Sequence, residues 1–227
     1  MQSWKLLDSA KIPGDGTELR LHARGDEHSI TIAGSSGELM GSRCHGSEEA
    51  LAQLACARLA HCAAPRILIG GLGFGFTLAA ALRHLGAEAT VVVAELVPAV
   101  VQWNSTLIGH HAGHPLRDPR VTVHEGDVGL LLKSAASRYD AILLDVDNGP
   151  EGLTRQDNNW LYSAAGLQAA FAALRPDGVL AVWSAGPDAV FGERLRQCGF
   201  EVEERRVRAH ATRKGAQHTL WLAGRGP

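Results

Sequence analysis

The sequence lacks any pair of cysteines at C-x-x-C spacing, any marked excess of one charge, any internal repeat and any low-complexity segment. Its four cysteines are Cys44, Cys56, Cys62 and Cys198. That spacing offers neither a zinc knuckle nor a redox pair, and unpaired thiols suit the reducing cytoplasm. The formal net charge is −2, so bulk electrostatics gives no footprint for nucleic acid or an anionic membrane. The N-terminal residues carry no apolar core of signal-peptide length. One run, Ile67 to Leu82, stays uncharged for 16 residues. It is too short to span a bilayer, and its four glycines fit a turn better. A cytoplasmic protein with no membrane or nucleic-acid partner is expected.

What is present is an ordinary globular composition over 227 residues, 45% hydrophobic and 20% charged. That length is one domain with a small appendage. Residues 1–45 alternate apolar and polar side chains in Leu19–Arg24 and Ser29–Ala33, punctuated by Pro13-Gly-Asp-Gly16, Gly25-Asp26 and Gly34-Ser-Ser-Gly37. This predicts a small antiparallel β meander. Ser47 followed by Glu48-Glu49 predicts a capped helix over 47–59, with the two acids in its first turn. From residue 66 onward, strands at 67–70, 90–95, 121–124, 140–145 and 179–183 alternate with helices at 76–85, 97–107, 128–136, 162–174 and 187–197. The pattern is α/β, a doubly wound and mostly parallel seven-stranded sheet. Strands at 200–208 and 218–223 follow with no helix between them, so the sheet should close with an antiparallel strand. The expected division is 1–45 for the meander and 46–227 for a Rossmann-like domain.

Chemistry concentrates where the strands end. Ile67-Leu-Ile69 runs into Gly70-Gly71-Leu-Gly73-Phe-Gly75 and then a helix. A glycine turn between strand and helix lets a nucleotide cofactor approach the backbone. Phe76 stands where a pyrophosphate-binding G-x-G-x-x-G would have its third glycine. Glu95 ends the next strand 20 residues after Gly75, where a carboxylate can accept from both ribose hydroxyls. Gly126-Asp127 follows the third strand. Asp127 has two readings, acceptor for an adenine amino group and cap of the helix beginning at Val128. Leu96 and Val128 either flank the adenine or belong to the core. Asp145, Asp147 and Asn148 end the fourth strand, where reacting groups gather in an open α/β sheet; Asp-Asn-Gly-Pro is also turn composition. Trp160 and Tyr162 either wall an acceptor site or pack the next helix on the sheet.

Five landmarks in order carry a resemblance: Ile69-Gly-Gly-Leu-Gly-Phe-Gly75, Glu95, Gly126-Asp127, Tyr139-Asp-Ala-Ile-Leu-Leu-Asp145 and Leu174-Arg-Pro-Asp-Gly178. The chain resembles the class I S-adenosylmethionine-dependent transferases, and within them the spermidine synthase family, over nearly its whole length. The resemblance implies a cofactor bound by the glycine turn, Glu95, Leu96, Gly126, Asp127 and Val128. It implies that Asp145, the best catalytic candidate and also one of the cofactor-binding residues, binds an attacking amine and helps remove its proton, with Asp147 beside it. Asn148, Trp160 and Tyr162 are the acceptor-site candidates. It further implies a homodimer built on the meander.

The chain also departs from that family. Where aminopropyltransferases have an aspartate in Gly-Gly-Gly-Asp-Gly-Gly, this sequence has Gly73. Where they have Tyr-x-Glu after the meander, it has Glu48-Glu-Ala50. The loop after the fourth strand is shorter. These positions select the decarboxylated cofactor and a polyamine. Ordinary S-adenosylmethionine and methyl transfer to a small amine or hydroxyl acceptor are therefore expected; the alternative is aminopropyl transfer from decarboxylated S-adenosylmethionine to a polyamine. Two other classes compete. A dinucleotide oxidoreductase shares the glycine turn and the acid, but the missing third glycine and the closing antiparallel strand oppose it. A non-catalytic relative would bind cofactor without turnover. No metal is expected, since His110, His111 and His114 read as a solvated loop away from the catalytic edge. Glu48-Glu49 reads as a helix start, Arg205, Arg206 and Arg208 as a solvated edge. The segment Lys214–His218 reads either as a plain hairpin loop or as a border of the acceptor site.

Overall fold

The alternation in the first forty residues becomes four antiparallel strands in a computed structural model of the chain, which describes residues 3–14, 16–35, 37–146, 159–209 and 216–227. They are β1 (Lys5–Lys11), β2 (Glu18–Arg24), β3 (Glu27–Ile32) and β4 (Glu38–Gly41), paired in chain order. Leu21 faces Ile30 across β2 and β3, and both are fully buried. β1 does not alternate in sequence because its pairing slips between Leu6 and Asp8, which leaves Leu6 and Leu7 exposed. The meander is fastened to the rest of the chain at that slip, where the Trp103 indole donates to Asp8 at 2.8 Å.

Helix α1 (Gly46–Ala57) leads into the main sheet. Its strands are β5 (Arg66–Gly70), β6 (Thr90–Glu95), β7 (Val121–Glu125), β8 (Tyr139–Leu144), β9 (Leu174–Ser184), β10 (Glu201–Arg208) and β11 (Gln217–Gly224). Their spatial order is β10-β11-β9-β8-β5-β6-β7. β5 to β9 pair parallel, and β11 runs antiparallel between β9 and β10. The expected mostly parallel sheet with an antiparallel closing strand is therefore the one observed. The chain winds outward from β5 through β6 to β7, then returns to β8 on the other side of β5. That reversal opens a crevice at the carboxyl ends of the strands, the usual ligand position in such sheets.

Side chains of the central strands enter two cores. Ile67 and Ile69 of β5 join the cluster containing Leu51 and Ala55 of α1, while Leu68 joins Leu144 and Leu180 on the other face. Leu19, Leu21 and Ile30 belong to the first cluster, so the meander shares a core with α1 and the sheet. The helices between the strands are α2 (Phe76–His84), α3 (Pro98–Trp103), α4 (Val128–Ser134), α5 (Asn159–Tyr162), α6 (Ala164–Ala173) and α7 (Ala189–Gln197). No helix among the described residues is long and apolar enough to cross a membrane.

Two expected helices are broken, each for a local reason. The helix expected over 97–107 ends as α3 and continues as a π turn, Asn104–Ile108, and a 3₁₀ turn, Gly109–Ala112. There the side chains of Asn104, Ser105 and Thr106 bond back to the carbonyls of Val100, Val101 and Gln102. The helix expected over 162–174 restarts at Ser163, whose hydroxyl accepts from Gly166 N–H and caps α6. The strand expected over 179–183 begins earlier, at Leu174, so the Leu174–Gly178 landmark is the start of β9, with Asp177 at φ 63°.

Candidate active site

A cavity of about 400 Å³ fills the crevice, walled by β4, the start of α1, the glycine turn and the ends of β6, β7 and β8. The turn enters it on left-handed backbone, with φ of 89° at Gly71 and 51° at Gly73. A Cβ at Gly71 would stand 2.3 Å from the Asp145 carbonyl oxygen, so the turn and the end of β8 meet backbone to backbone. Gly71→Ala is expected to cost roughly 3 kcal/mol through clash and strain together, measurable as a lowered urea midpoint. Gly73 is held from behind by the Asn104 amide, which donates to its carbonyl at 2.7 Å. The π turn thus fixes the cavity-side backbone.

Glu95 reaches the cavity at the end of β6, almost fully buried. Leu72 and Val97 N–H groups donate to its two oxygens, both at 2.9 Å. Burial raises its pKa, against the lowering effect of these backbone donors. A carboxylate has about four acceptor positions, so beyond the two short bonds a ligand's hydroxyls compete only with the more weakly placed Gly73 and Leu96 N–H groups. Asp127 is the cap of α4, one oxygen accepting from Gly129 N–H at 2.8 Å, and its side chain also lines the cavity. Leu96, Gly126 and Val128 line the same wall.

Asp145 lies across the cavity floor, where the Thr77 hydroxyl donates to it at 2.5 Å. Burial raises its pKa above the ordinary carboxylate range. Opposite stands Glu48, and this corrects the sequence expectation. Glu48 is not merely an acid at a helix start. It lines the cavity, and its pKa is raised first by burial and then by the negative charge of Asp145. Two carboxylates in one poorly solvated space favour sharing a proton or holding a cation between them. Ser47 is not the helix cap either, because α1 begins at Gly46 with His45 before it. The Ser47 hydroxyl, fully buried, donates to Glu48 at 2.6 Å and lies 2.8 Å from Nδ1 of His218 on β11. His218 also lines the cavity, and burial lowers its pKa.

The remaining candidates fall elsewhere. Gly70 and Gly75 frame the turn without lining the cavity: a Cβ at Gly70 would press on Val128 and Leu144, and Gly75 precedes α2. Asp147 and Asn148 lie outside the described residues. Trp160 packs on Gly129 and under Lys133, whose Nζ is 4.2 Å from the ring centroid. Tyr162 is buried against Phe191 and donates to the Val146 carbonyl at 3.0 Å. Neither walls the cavity; both pack their helix, and Tyr162 steadies the backbone next to Asp145. The histidine segment also departs from expectation. His111 is half-buried, with its Nε2 2.8 Å from His28 Nδ1 on β3, because the 3₁₀ turn folds back on the meander.

A family model described as the spermine/spermidine synthase domain matches residues 45–188. The chain belongs to that family. The fold agrees. The structure of spermidine synthase from Thermotoga maritima superposes with a TM-score of 0.77 at 17% identity, covering 98% of this chain and 73% of that one. A spermidine synthase in complex with the transition-state analogue AdoDATO gives 0.75 at 17% identity, with the same coverage. A probable spermidine synthase from Corynebacterium glutamicum gives 0.66 at 14% identity, covering 97% and 79%. No curated protein matches the sequence. Within this family frame, the glycine at position 73 does not leave the cavity short of acids. Glu38, Glu48, Glu95, Asp127 and Asp145 all line it, and no lysine or arginine does among the described residues.

Proposed function

We propose that this chain is an aminopropyltransferase of the spermidine synthase type, using decarboxylated S-adenosylmethionine and a cationic polyamine acceptor. The observation that carries this reading is the charge of the cavity: five carboxylates and no described lysine or arginine. An amino-acid carboxylate on the cofactor would meet no lysine or arginine in that field among the described residues, whereas an aminopropyl ammonium and a polyamine are attracted to it. The residues fit such a cofactor. Glu95 keeps acceptor capacity for the ribose, Asp127 keeps one oxygen beyond its capping bond, and Leu96 and Val128 offer apolar flanks.

The cofactor supplies a sulfonium whose attached carbon is open to displacement. Glu48 and Asp145 hold the acceptor ammonium and take its proton, which frees the nitrogen lone pair. On that nitrogen the bound sulfonium would supply the carbon for a new N–C bond, its own C–S bond breaking so that the sulfur would leave as a neutral thioether. Ser47 and His218 extend the acid pair toward the opposite cavity wall. A carboxylate Glu48 accepts from Ser47, and a protonated Glu48 donates to it, so the same chain of atoms serves both protonation states. Glu95→Ala should weaken cofactor binding by about 10–100-fold, the worth of one or two hydrogen bonds to a charged group, as read by calorimetry.

One observation favours a second reading, methyl transfer from ordinary S-adenosylmethionine: Gly73 puts no side chain where the resemblance calls for an aspartate. The test is product analysis with each cofactor and a panel of diamines. 5′-Methylthioadenosine formed with a diamine acceptor supports aminopropyl transfer. S-adenosylhomocysteine formed instead supports methyl transfer.

A further inference from the structure

Three imidazoles from two distant parts of the chain converge behind the glycine turn. His28 comes from β3, and His110 and His111 come from the 3₁₀ turn Gly109–Ala112. Their donor nitrogens all lie within 4.8 Å of one another. The rings crowd together, with centroids 4.1 Å apart for His110 and His111 and 4.9 Å apart for His28 and His111. Both backbones that carry them are fixed. His28 N–H donates to the Ser42 hydroxyl at 3.0 Å and its carbonyl accepts from Ser42 N–H at 2.9 Å. The 3₁₀ turn is closed by His114 N–H on the Gly109 carbonyl at 2.7 Å.

We infer that His28, His110 and His111 form a binding site for a divalent transition-metal ion, which staples the meander to the segment beneath the cofactor turn. Three imidazole nitrogens with no thiolate suit Zn²⁺, Co²⁺, Ni²⁺ or Cu²⁺, and exclude the oxygen-seeking Mg²⁺ and Ca²⁺. In a tetrahedral zinc site with Zn–N near 2.0–2.1 Å, ligand nitrogens stand about 3.3 Å apart. The His28–His111 pair, at 2.8 Å, therefore needs to open by only about half an ångström. The negative charge of Asp26 acts on both His28 and His111, which favours a cation between the rings.

The site is separate from the acid-lined cavity but touches its wall. The Phe74 ring packs edge-on against His111, with centroids 5.9 Å apart, and lines the cavity on its other side. The site is independent of the proposed reaction, and its test needs no substrate. The full chain, free of any affinity tag and stripped with chelator, is titrated with ZnCl₂ by calorimetry and followed by thermal melting. The expected result is one ion per chain, a metal-dependent rise in Tm, and visible d–d bands of a tetrahedral site with Co²⁺. His28→Ala and His111→Ala should each weaken Zn²⁺ binding by more than the roughly 10–100-fold typical of losing an outer-shell partner. They should also abolish the Tm rise. The exposed His110→Ala serves as the variant least able to disturb folding, and should weaken binding too, whereas His61→Ala should bind like the parent chain. Binding undiminished in the His110→Ala and His111→Ala variants would overturn the assignment, as would a metal-free melt that ZnCl₂ leaves unchanged.

Discussion

Asp145→Asn lowers the turnover number for a polyamine acceptor by about 10²–10⁴-fold, the usual contribution of a positioned proton acceptor. The substitution keeps the shape of the side chain and its place beside Thr77, but removes the charge and the basic oxygen. The glycine turn and Glu95 are untouched, so cofactor affinity measured by calorimetry stays close to that of the parent chain. Loss concentrated in kcat with cofactor binding retained separates a role in the chemistry from general damage. Turnover near the parent value would show that Asp145 only shapes the end of β8.

Glu48→Gln is expected to do two opposite things, slowing the reaction and stabilising the fold. Glu48 and Asp145 each have a folded-state pKa raised above the ordinary values of 4.5 and 3.8. Between those values and the raised ones, the folded chain holds more protons than the unfolded chain. Stability is therefore lost as pH climbs from the ordinary carboxylate range toward neutrality, and the loss persists above it. An uncharged glutamine removes that cost. A tenfold change in proton affinity is worth about 1.4 kcal/mol; the rise of Glu48 from 4.5 to about 7 bounds the gain at pH 8 at about 3 kcal/mol, and solvent access to the cavity brings it to on the order of 1–2 kcal/mol. For a chain of this size that is roughly 2–8 °C in Tm. At pH 4 both acids are protonated in the parent chain, so the two melts should converge. The same protonation predicts that parent activity falls as pH drops below neutrality. A variant less stable than the parent at pH 8 would contradict the picture of two acids held at a cost for function.

The fold is legible in the sequence because its signals are local and repeated. Apolar runs such as Ile67–Ile69 and Ala141–Leu144 are bounded by turns, and their alternation with helices dictates a parallel sheet. The missing helix between β10 and β11 equally dictates the antiparallel closure. The strand-end wall of the cavity is legible for a related reason: Gly71, Glu95, Asp127 and Asp145 all sit at the ends of strands, so the topology alone gathers them. What is not legible is what the topology brings from outside that series. Glu48 looks like a helix-start acid in sequence, and only the docking of the meander and α1 over the crevice turns it toward Asp145. Its neighbours Ser47 and His218 are 171 positions apart. In sequence His218 ends a segment that reads either as a plain hairpin loop or as a border of the acceptor site, and the pairing of its strand with β9 brings it to the cavity. Glu38 lies on a short strand with no periodic signal. The histidines mislead for the opposite reason, since a polar, glycine-flanked run reads as solvated loop until His28 arrives from β3. Trp160 and Tyr162 resemble pocket aromatics because they follow Asp145 in the chain, yet the helix they start turns them into the core.

The most direct test of the central claim is paired calorimetric titration of the full chain with decarboxylated and ordinary S-adenosylmethionine at the same pH and salt. A cavity lined by five carboxylates, with no described lysine or arginine, should bind the decarboxylated form more tightly. That preference should shrink as salt screens the cavity field. Tighter binding of the carboxylated form, insensitive to salt, would contradict the aminopropyltransferase account and return the chain to methyl transfer.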